Sequence, residues 1–130
     1  MGGGVFLAVF GADFATPDGT AIRDYVHVAD LADAHLRVLD QLEQGSVAYN
    51  LGTGRGHSVL EVVRAVERAG GRPVPLRRVG RRCGDPPMLV ASSARMAAQT
   101  GWRPRFTALH DIVATALRWR EAHPAGYGSH

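Results

Sequence analysis

Lysine is absent from the 130 residues, and all fifteen strongly basic side chains are arginine. A P-loop and a Schiff-base centre each depend on a lysine, so neither can be assembled from this chain. A Tyr-x-x-x-Lys acid–base pair is excluded for the same reason. The single cysteine, Cys83, rules out an internal disulfide and a zinc site built on several cysteines. That usage fits a reducing compartment, and the expected location is cytoplasmic. No apolar run approaches the ~20 residues a membrane helix needs, so no membrane partner is expected. The opening MGGGVFLAVFGAD has a short apolar stretch, Val5–Phe10, with no basic residue before it, and does not read as a secretory signal. A formal net charge of +3 is too small to make nucleic acid an expected partner. The arginine bias reads as high-GC codon usage.

What is present suits one globular domain. Hydrophobic residues make up 45% and charged residues 21%, too apolar for a disordered chain. The length supports a modest core. Residues 1–6 read as a linker or arbitrary start, 7–127 as the domain and 128–130 as a tail. Val5–Phe10 predicts a buried strand. Thr16-Pro17-Asp18-Gly19 predicts a tight turn. Asp24–Val28 alternates and predicts a second strand. A helix is expected from Asp30, with Leu31, Ala34, Val38, Leu39 and Leu42 as its apolar stripe and Gly45 as its stop. Val47–Leu51 predicts a strand feeding the loop 52–57. Ser58 and Glu61 predict a capping box on a helix that ends at Gly70-Gly71, with Val59, Val62, Val63 and Val66 buried. Val74–Val79 predicts a further strand, and Gly80–Pro87 an irregular loop. A short helix capped by Ser92 or Ser93 and ended by Gly101 follows. A last helix runs from after Thr107 to His123-Pro124. Mixed strands and helices give an α/β class. A strand entering a glycine loop and a helix belongs in a parallel sheet, yet few partners for Val47–Leu51 are evident, a hint that part of the domain is missing.

The glycine loop Gly52-Thr53-Gly54-Arg55-Gly56-His57 lies between a strand and a helix, as a dinucleotide fingerprint would. Its spacing is wrong, because His57 occupies the sixth position and Arg77 and Arg78 stand where an acidic residue is needed. A tight strand-to-helix turn is the preferred reading. Arg81, Arg82 and Asp85 lie in an Arg-, Gly- and Pro-rich loop. Guanidinium forks bind phosphate oxygens in pairs, and a carboxylate accepts from ribose hydroxyls. The residue types therefore suit a nucleoside diphosphate, and a solvated basic loop is the alternative. Arg23 and Tyr25 begin a predicted strand, where an arginine is commonly a surface residue. The six histidines show no metal-ligand spacing. His27 and Asp30 are expected to form a hydrogen-bonded pair at a strand-to-helix junction. Cys83 has arginine neighbours but no evident base, so it is not expected to be catalytic.

Several strings carry a specific resemblance. Phe10-Gly11-Ala12-Asp13, Thr16-Pro17-Asp18-Gly19-Thr20, Ile22-Arg23-Asp24-Tyr25-Val26-His27-Val28 and Asp30-Leu31-Ala32 are followed by Tyr49-Asn50-Leu51-Gly52-Thr53-Gly54 with Ser58-Val59. Arg81-Arg82 with Gly84-Asp85-Pro86, and Trp119 with His123-Pro124 and Gly126-Tyr127, complete the set. From about Leu7 to Tyr127 the chain resembles the C-terminal part of UDP-glucose 4-epimerases of the extended short-chain dehydrogenase/reductase class. The resemblance implies a Rossmann-type α/β fold, here its substrate-binding C-terminal portion without the N-terminal cofactor lobe. It implies that Arg23 and Arg82 hold the UDP diphosphate and that Asp85 holds the uridine ribose. Leu7, Ala8 and Phe10 lie beside the uracil, and Tyr25 and Val59 supply further nucleotide contacts. Cys83 stands where the family more often has Glu, and Leu89 where a nucleotide-contacting Tyr is expected.

The family interconverts UDP-glucose and UDP-galactose in galactose metabolism, using tightly bound NAD, a Tyr-x-x-x-Lys pair and homodimers. This chain supplies neither the pair nor the family's glycine-rich cofactor fingerprint. The expectation is a UDP-sugar grip that is inactive alone, with no catalytic, cofactor-binding or metal-binding residue of its own. The alternative is a non-catalytic module that complements a separate cofactor-binding chain.

Overall fold

The computed structural model describes residues 5–128. Five short strands and four α-helices are arranged as β1 (Leu7–Phe10), β2 (Ile22–Asp24), α1 (Val28–Leu39), a 3-10 turn (Leu42–Gln44), β3 (Gly56–Ser58), α2 (Val59–Gly70), β4 (Leu76–Val79), β5 (Met88–Leu89), α3 (Ala94–Thr100) and α4 (Leu109–Ala122). The class is α/β, as expected. β1 and β4 form a parallel pair with Leu7 opposite Leu76. The other sheet has the order β3-β2-β5, antiparallel between β2 and β3 and parallel between β2 and β5. Residues 1–4 of the expected linker and 129–130 of the expected tail lie outside the described residues. Phe6, assigned to the linker, carries the guanidinium of Arg77 at 5.2 Å from its ring centre.

Local chemistry explains most boundaries. The turn at Thr16–Gly19 forms, with Gly19 N–H donating to Thr16 O at 3.2 Å. Gly19 has a φ of +80°, and a Cβ there would run into the carbonyl of Ala12, so both conformation and space demand glycine. Ser58 and Glu61 make the reciprocal capping box, and α2 stops at Gly71. α4 packs across α2, and Val63 and Ala65 of α2 and Val113 of α4 are buried. Trp102, Met96 and Ala34 are the centre of a second cluster, joined by Val38, Tyr49 and Leu51.

Other expectations need correction. The second strand is Ile22–Asp24 rather than Asp24–Val28. The ladder ends because His27 turns the chain into α1: its Nδ1 accepts from Ala29 N–H at 2.9 Å and caps the helix two residues earlier than expected. The His27 proton then sits on Nε2, which reaches Thr115 Oγ1 at 2.8 Å, while the ring stacks on Phe106. Asp30 does pair with His27, but through the backbone: its N–H donates to His27 O at 3.0 Å, while its carboxylate looks elsewhere. The buried Asp30 carboxylate accepts from the backbone N–H groups of Arg105 and Phe106, both at 3.0 Å, and Trp102 Nε1 donates to the Asp30 carbonyl at 2.9 Å. Both residues pin the junction, each to a different later segment. α1 ends at Leu39, and Gly45 closes the 3-10 turn instead. Leu39 and Leu42 of the expected apolar stripe are exposed. The loop 52–57 ends in β3, and the strand expected from Val74 begins at Leu76. Ser93 gives α3 no side-chain cap, because its hydroxyl is engaged with Gly52. Val47–Leu51 joins no ladder. Its burial still alternates like a strand's, but the described chain offers it no strand neighbour.

The accessible surface is 9054 Å². A compact monomer of 13.9 kDa exposes about 6,700 Å². The excess is partly apolar, since Leu36, Leu39, Met88, Leu89 and Tyr127 are all more than half exposed. No helix among the described residues is long and apolar enough to cross a membrane.

Asp18 ties the 16–19 turn to α2. It accepts from Thr20 N–H and Oγ1 and from the Ser58 hydroxyl. Burial works to raise its pKa, but these hydrogen bonds and the nearby Arg64 charge outweigh it and hold the carboxyl below its ordinary 3.8. A folded-state pKa lowered in this way contributes stability above the ordinary value, and that stability is lost as pH falls through the lowered one. Asp18→Asn should therefore melt below wild type at neutral pH, with the gap narrowing as the pH is taken below about 3.8. A pH-independent difference between the two melting curves would remove Asp18 from the acid response.

Candidate functional site

The site is built on β2 and the loop that leads into β5. Arg23 sits mid-strand in β2, opposite His57 on one side and Leu89 on the other. Its Nη1 donates to Ile22 O at 2.7 Å and to Pro86 O at 3.0 Å, which fixes the guanidinium against the β5 approach. Its Nη2 lies 3.7 Å from Asp85 Oδ1. Arg82 approaches the same carboxylate, with Nε and Nη2 both 3.0 Å from Asp85 Oδ2. The Arg82 guanidinium also lies over the Phe10 ring, 4.7 Å from its centre. Residues separated by up to 75 positions thus meet through one carboxylate and one ring.

Two cations around one anion leave a net positive charge, and the two arginines differ in mobility. Arg23 is mostly buried and doubly anchored, whereas the Arg82 side chain is 61% exposed. An exposed ion pair such as Arg82–Asp85 is worth about 0–1 kcal/mol. A charge-assisted hydrogen bond to a phosphate nets about 1.5–3 kcal/mol. An entering anion can therefore take Arg82 from Asp85 and free the carboxylate for hydroxyl donors. A cavity of about 410 Å³ beside Arg23 is lined also by Asn50, Leu51 and Leu89. Leu89 pairs with Arg23 across β2 and β5 and is 53% exposed.

The structure brings together Arg23, Arg82, Asp85 and Phe10 of the expected set. Tyr25 lies just past the end of β2. Burial raises its pKa, partly opposed by the Arg23 charge, so its phenol stays protonated well past neutral pH. Leu7 and Ala8 lie on β1 beside Leu76 and Arg77, on the strand that carries Phe10. Val59 is placed differently. It opens α2 after β3 and donates its N–H to Ala21 O. The order β3-β2-β5 puts that helix start past the β3 edge of β2, whereas Asp85 leads into the opposite edge. Among the described residues no hydrogen bond or ion pair joins Val59 to the arginine cluster. Arg81 is also set apart: it pairs with Asp13 at 2.8 Å and covers the Phe14 ring. Cys83 is exposed.

Sequence reading gave Asp24 no role, and it organises the site. Its Oδ1 accepts from Thr53 N–H and Oγ1, both at 2.8 Å. Its Oδ2 accepts from Gly54 N–H at 3.0 Å and Ala91 N–H at 3.3 Å. The amides that a phosphate-cradling loop would aim at a ligand are thus given to a side chain of the same protein. The loop as folded does not fit NAD, because the Thr53 and Gly54 amides are already engaged. Gly52 is required for the approach, because a Cβ there would collide with the Asp24 carboxylate and come within 2.7 Å of the Ala91 Cβ. The signal available in the sequence was the Arg-Asp pair itself, in which adjacent strand residues must point to opposite faces. Among the described residues no cluster of His, Cys, Asp or Glu could hold a metal ion.

Comparison with known proteins gives a consistent match. A profile of the NAD dependent epimerase/dehydratase family matches residues 6–52. UDP-glucose 4-epimerase of Streptococcus mutans is 45% identical over 123 residues, 93% of this chain and 37% of the relative. That of Azospirillum brasilense is 52% identical over 118 residues, covering 89% of this chain and 34% of the relative. The crystal structure of UDP-glucose 4-epimerase from Bifidobacterium longum, in complex with NAD+ and UDP, superposes with a TM-score of 0.86 at 41% identity, covering 94% of this chain and 36% of that one. The chain thus spans about a third of the length of the relatives it matches.

The Asp24 hub gives a direct expectation. Gly52→Ala should lower stability by about 1–3 kcal/mol, the usual cost of overpacking, seen as a lower urea midpoint. An unchanged midpoint would show that the loop yields without cost. In sequence and fold the chain is thus similar to one portion, about a third, of UDP-glucose 4-epimerases.

Proposed function

We propose that residues 7–127 are the UDP-sugar-binding portion of a UDP-glucose 4-epimerase, and that the chain alone is inactive. The observation that carries this reading is the convergence of Arg23, Arg82 and Asp85 beside the exposed Phe10 ring. Arg23 and Arg82 bind the diphosphate, Asp85 accepts from the ribose hydroxyls, and Phe10 with Leu7 and Ala8 forms the wall for the base. Tyr25 contributes its neutral hydroxyl. The relative from Bifidobacterium longum is described in complex with NAD+ and UDP, which supports the choice of ligand.

Catalysis is a separate matter. In the family, NAD accepts and returns a hydride at the sugar C4, and a tyrosine with a lysine moves the hydroxyl proton. The 130 residues hold no lysine, and the amides of the 53–54 loop are given to Asp24. Binding energy from the UDP moiety positions a sugar but does not oxidise it. The large accessible surface favours a second reading, in which the chain complements a separate polypeptide carrying the NAD site. The working compartment in either case is the cytoplasm.

Calorimetric titration of UDP should show weak binding to wild type and at least about tenfold weaker binding to Arg82→Ala, the loss of one charged hydrogen-bonding group. Equal affinities would remove Arg82 from the site, and absence of binding to wild type would remove the grip altogether. Incubated with NAD and UDP-galactose, the purified chain should form no UDP-glucose; turnover would overturn the inactivity.

A further inference from the structure

Val9 is buried in the core, and alternation along β1 turns Phe10 to the opposite face. One face of the Phe10 ring is covered by the Arg82 guanidinium, 4.7 Å from the ring centre. A guanidinium is planar and stacks on an aromatic face, as a pyrimidine base does. Asp85 holds it there, with Oδ2 lying 3.0 Å from both Nε and Nη2. Arg82 and Asp85 belong to one tight turn, in which Asp85 N–H donates to Arg82 O at 3.4 Å and Gly84 has a φ of +79°. The turn holds the Arg82 backbone while its side chain, 61% exposed, is free to swing. Asp85 is not stranded when that happens, because Arg23 Nη2 lies 3.7 Å from its Oδ1. The neighbouring Arg81 cannot take over the role. Its Nε and Nη2 both donate to Asp13, and it covers the Phe14 ring.

Resting on the reading of this site as a UDP grip, we propose that the Arg82–Phe10 stack selects for ligands that carry a base and phosphates on one molecule. Base and guanidinium compete for the same ring face. A base that stacks on Phe10 displaces Arg82, and the guanidinium then needs another partner. A phosphate on the same ligand is that partner, accepting from Arg82 in paired, charge-assisted bonds. Ribose hydroxyls donate to the Asp85 carboxylate that Arg82 has left. A nucleoside without phosphate strips Arg82 from Phe10 and Asp85 and offers it nothing in return. Pyrophosphate without a base draws Arg82 off the ring and leaves Phe10 facing water. Each half-ligand therefore forfeits the stack, a loss of about two- to fivefold in affinity at an exposed site. The joined ligand replaces both contacts. Arg82 is in this way a specificity-determining residue as well as a phosphate ligand.

Calorimetry of the whole 130-residue chain with inorganic pyrophosphate and with UDP tests this, in wild type and in Phe10→Leu. Leucine keeps an apolar side chain on β1 but offers no ring face. Phe10→Leu should bind pyrophosphate about two- to fivefold more tightly than wild type, because Arg82 is released. It should bind UDP more weakly, because the base loses its shelf. Equal or weaker pyrophosphate binding by the variant, or none by either protein, would overturn the proposal. Proton NMR offers a readout that needs no variant. Before ligand is added, the Arg82 side-chain protons should carry an upfield ring-current shift from Phe10. Saturation with UDP should abolish that shift, while Arg81, stacked on Phe14, keeps its own. No upfield shift at the start, or one that survives saturation, would overturn this proposal and leave the UDP reading standing. Failure of wild type to bind UDP would overturn both.

Discussion

The Asp24 carboxylate accepts four hydrogen bonds, from Thr53, Gly54 and Ala91, while its own backbone lies in β2. Three stretches of chain far apart in sequence are thereby held around one strand. Arg23, its neighbour, points to the other face of that strand, toward Pro86 and Asp85. The position of the arginine cluster therefore depends on the strand that Asp24 anchors. A carboxylate that accepts from several amides is satisfied at once on both oxygens, which suits a half-exposed hub better than an ion pair would. Gly52 allows the approach by leaving no Cβ in the way.

The arginine cluster rests in a state that is easily exchanged. Asp85 neutralises part of the charge of Arg23 and Arg82, so the positive groups are not left facing one another. Arg23 is held by two carbonyls, an ordering that would lower the entropy cost of binding an anion through it. Arg82 keeps its freedom and stacks on Phe10. One arginine provides geometry and the other provides reach.

Much of the molecule is open. Apolar side chains that an α/β enzyme buries are left on its surface, and 46–51 has the side-chain pattern of a strand without a ladder. Coverage of about a third of the length of each relative agrees with these features. The energetic consequence is direct: unpaired strand edges and apolar helix faces are the surfaces along which chains associate.

The local elements were legible because their signals lie within a few residues. The capping box at Ser58 and Glu61, the turn at Gly19 and the stops at Gly71 and Gly101 all formed where the residue types demanded. The resemblance to UDP-glucose 4-epimerases could likewise be read from linked motifs. Elements decided by distant partners were not legible. Asp30 answers to Arg105 and Phe106, His27 to Thr115, and Asp24 to a glycine loop that imitates a cofactor fingerprint. Val47–Leu51 has every local mark of a strand, yet a strand exists only where a neighbour accepts its hydrogen bonds. The sequence by itself therefore determined both ends of α2, the stop of α3, the turn at Gly19 and the resemblance of the chain. Which carboxylate holds which amide, which arginine is anchored and which strand stays unpaired were decided only by the tertiary structure, because each depends on groups brought together across long separations.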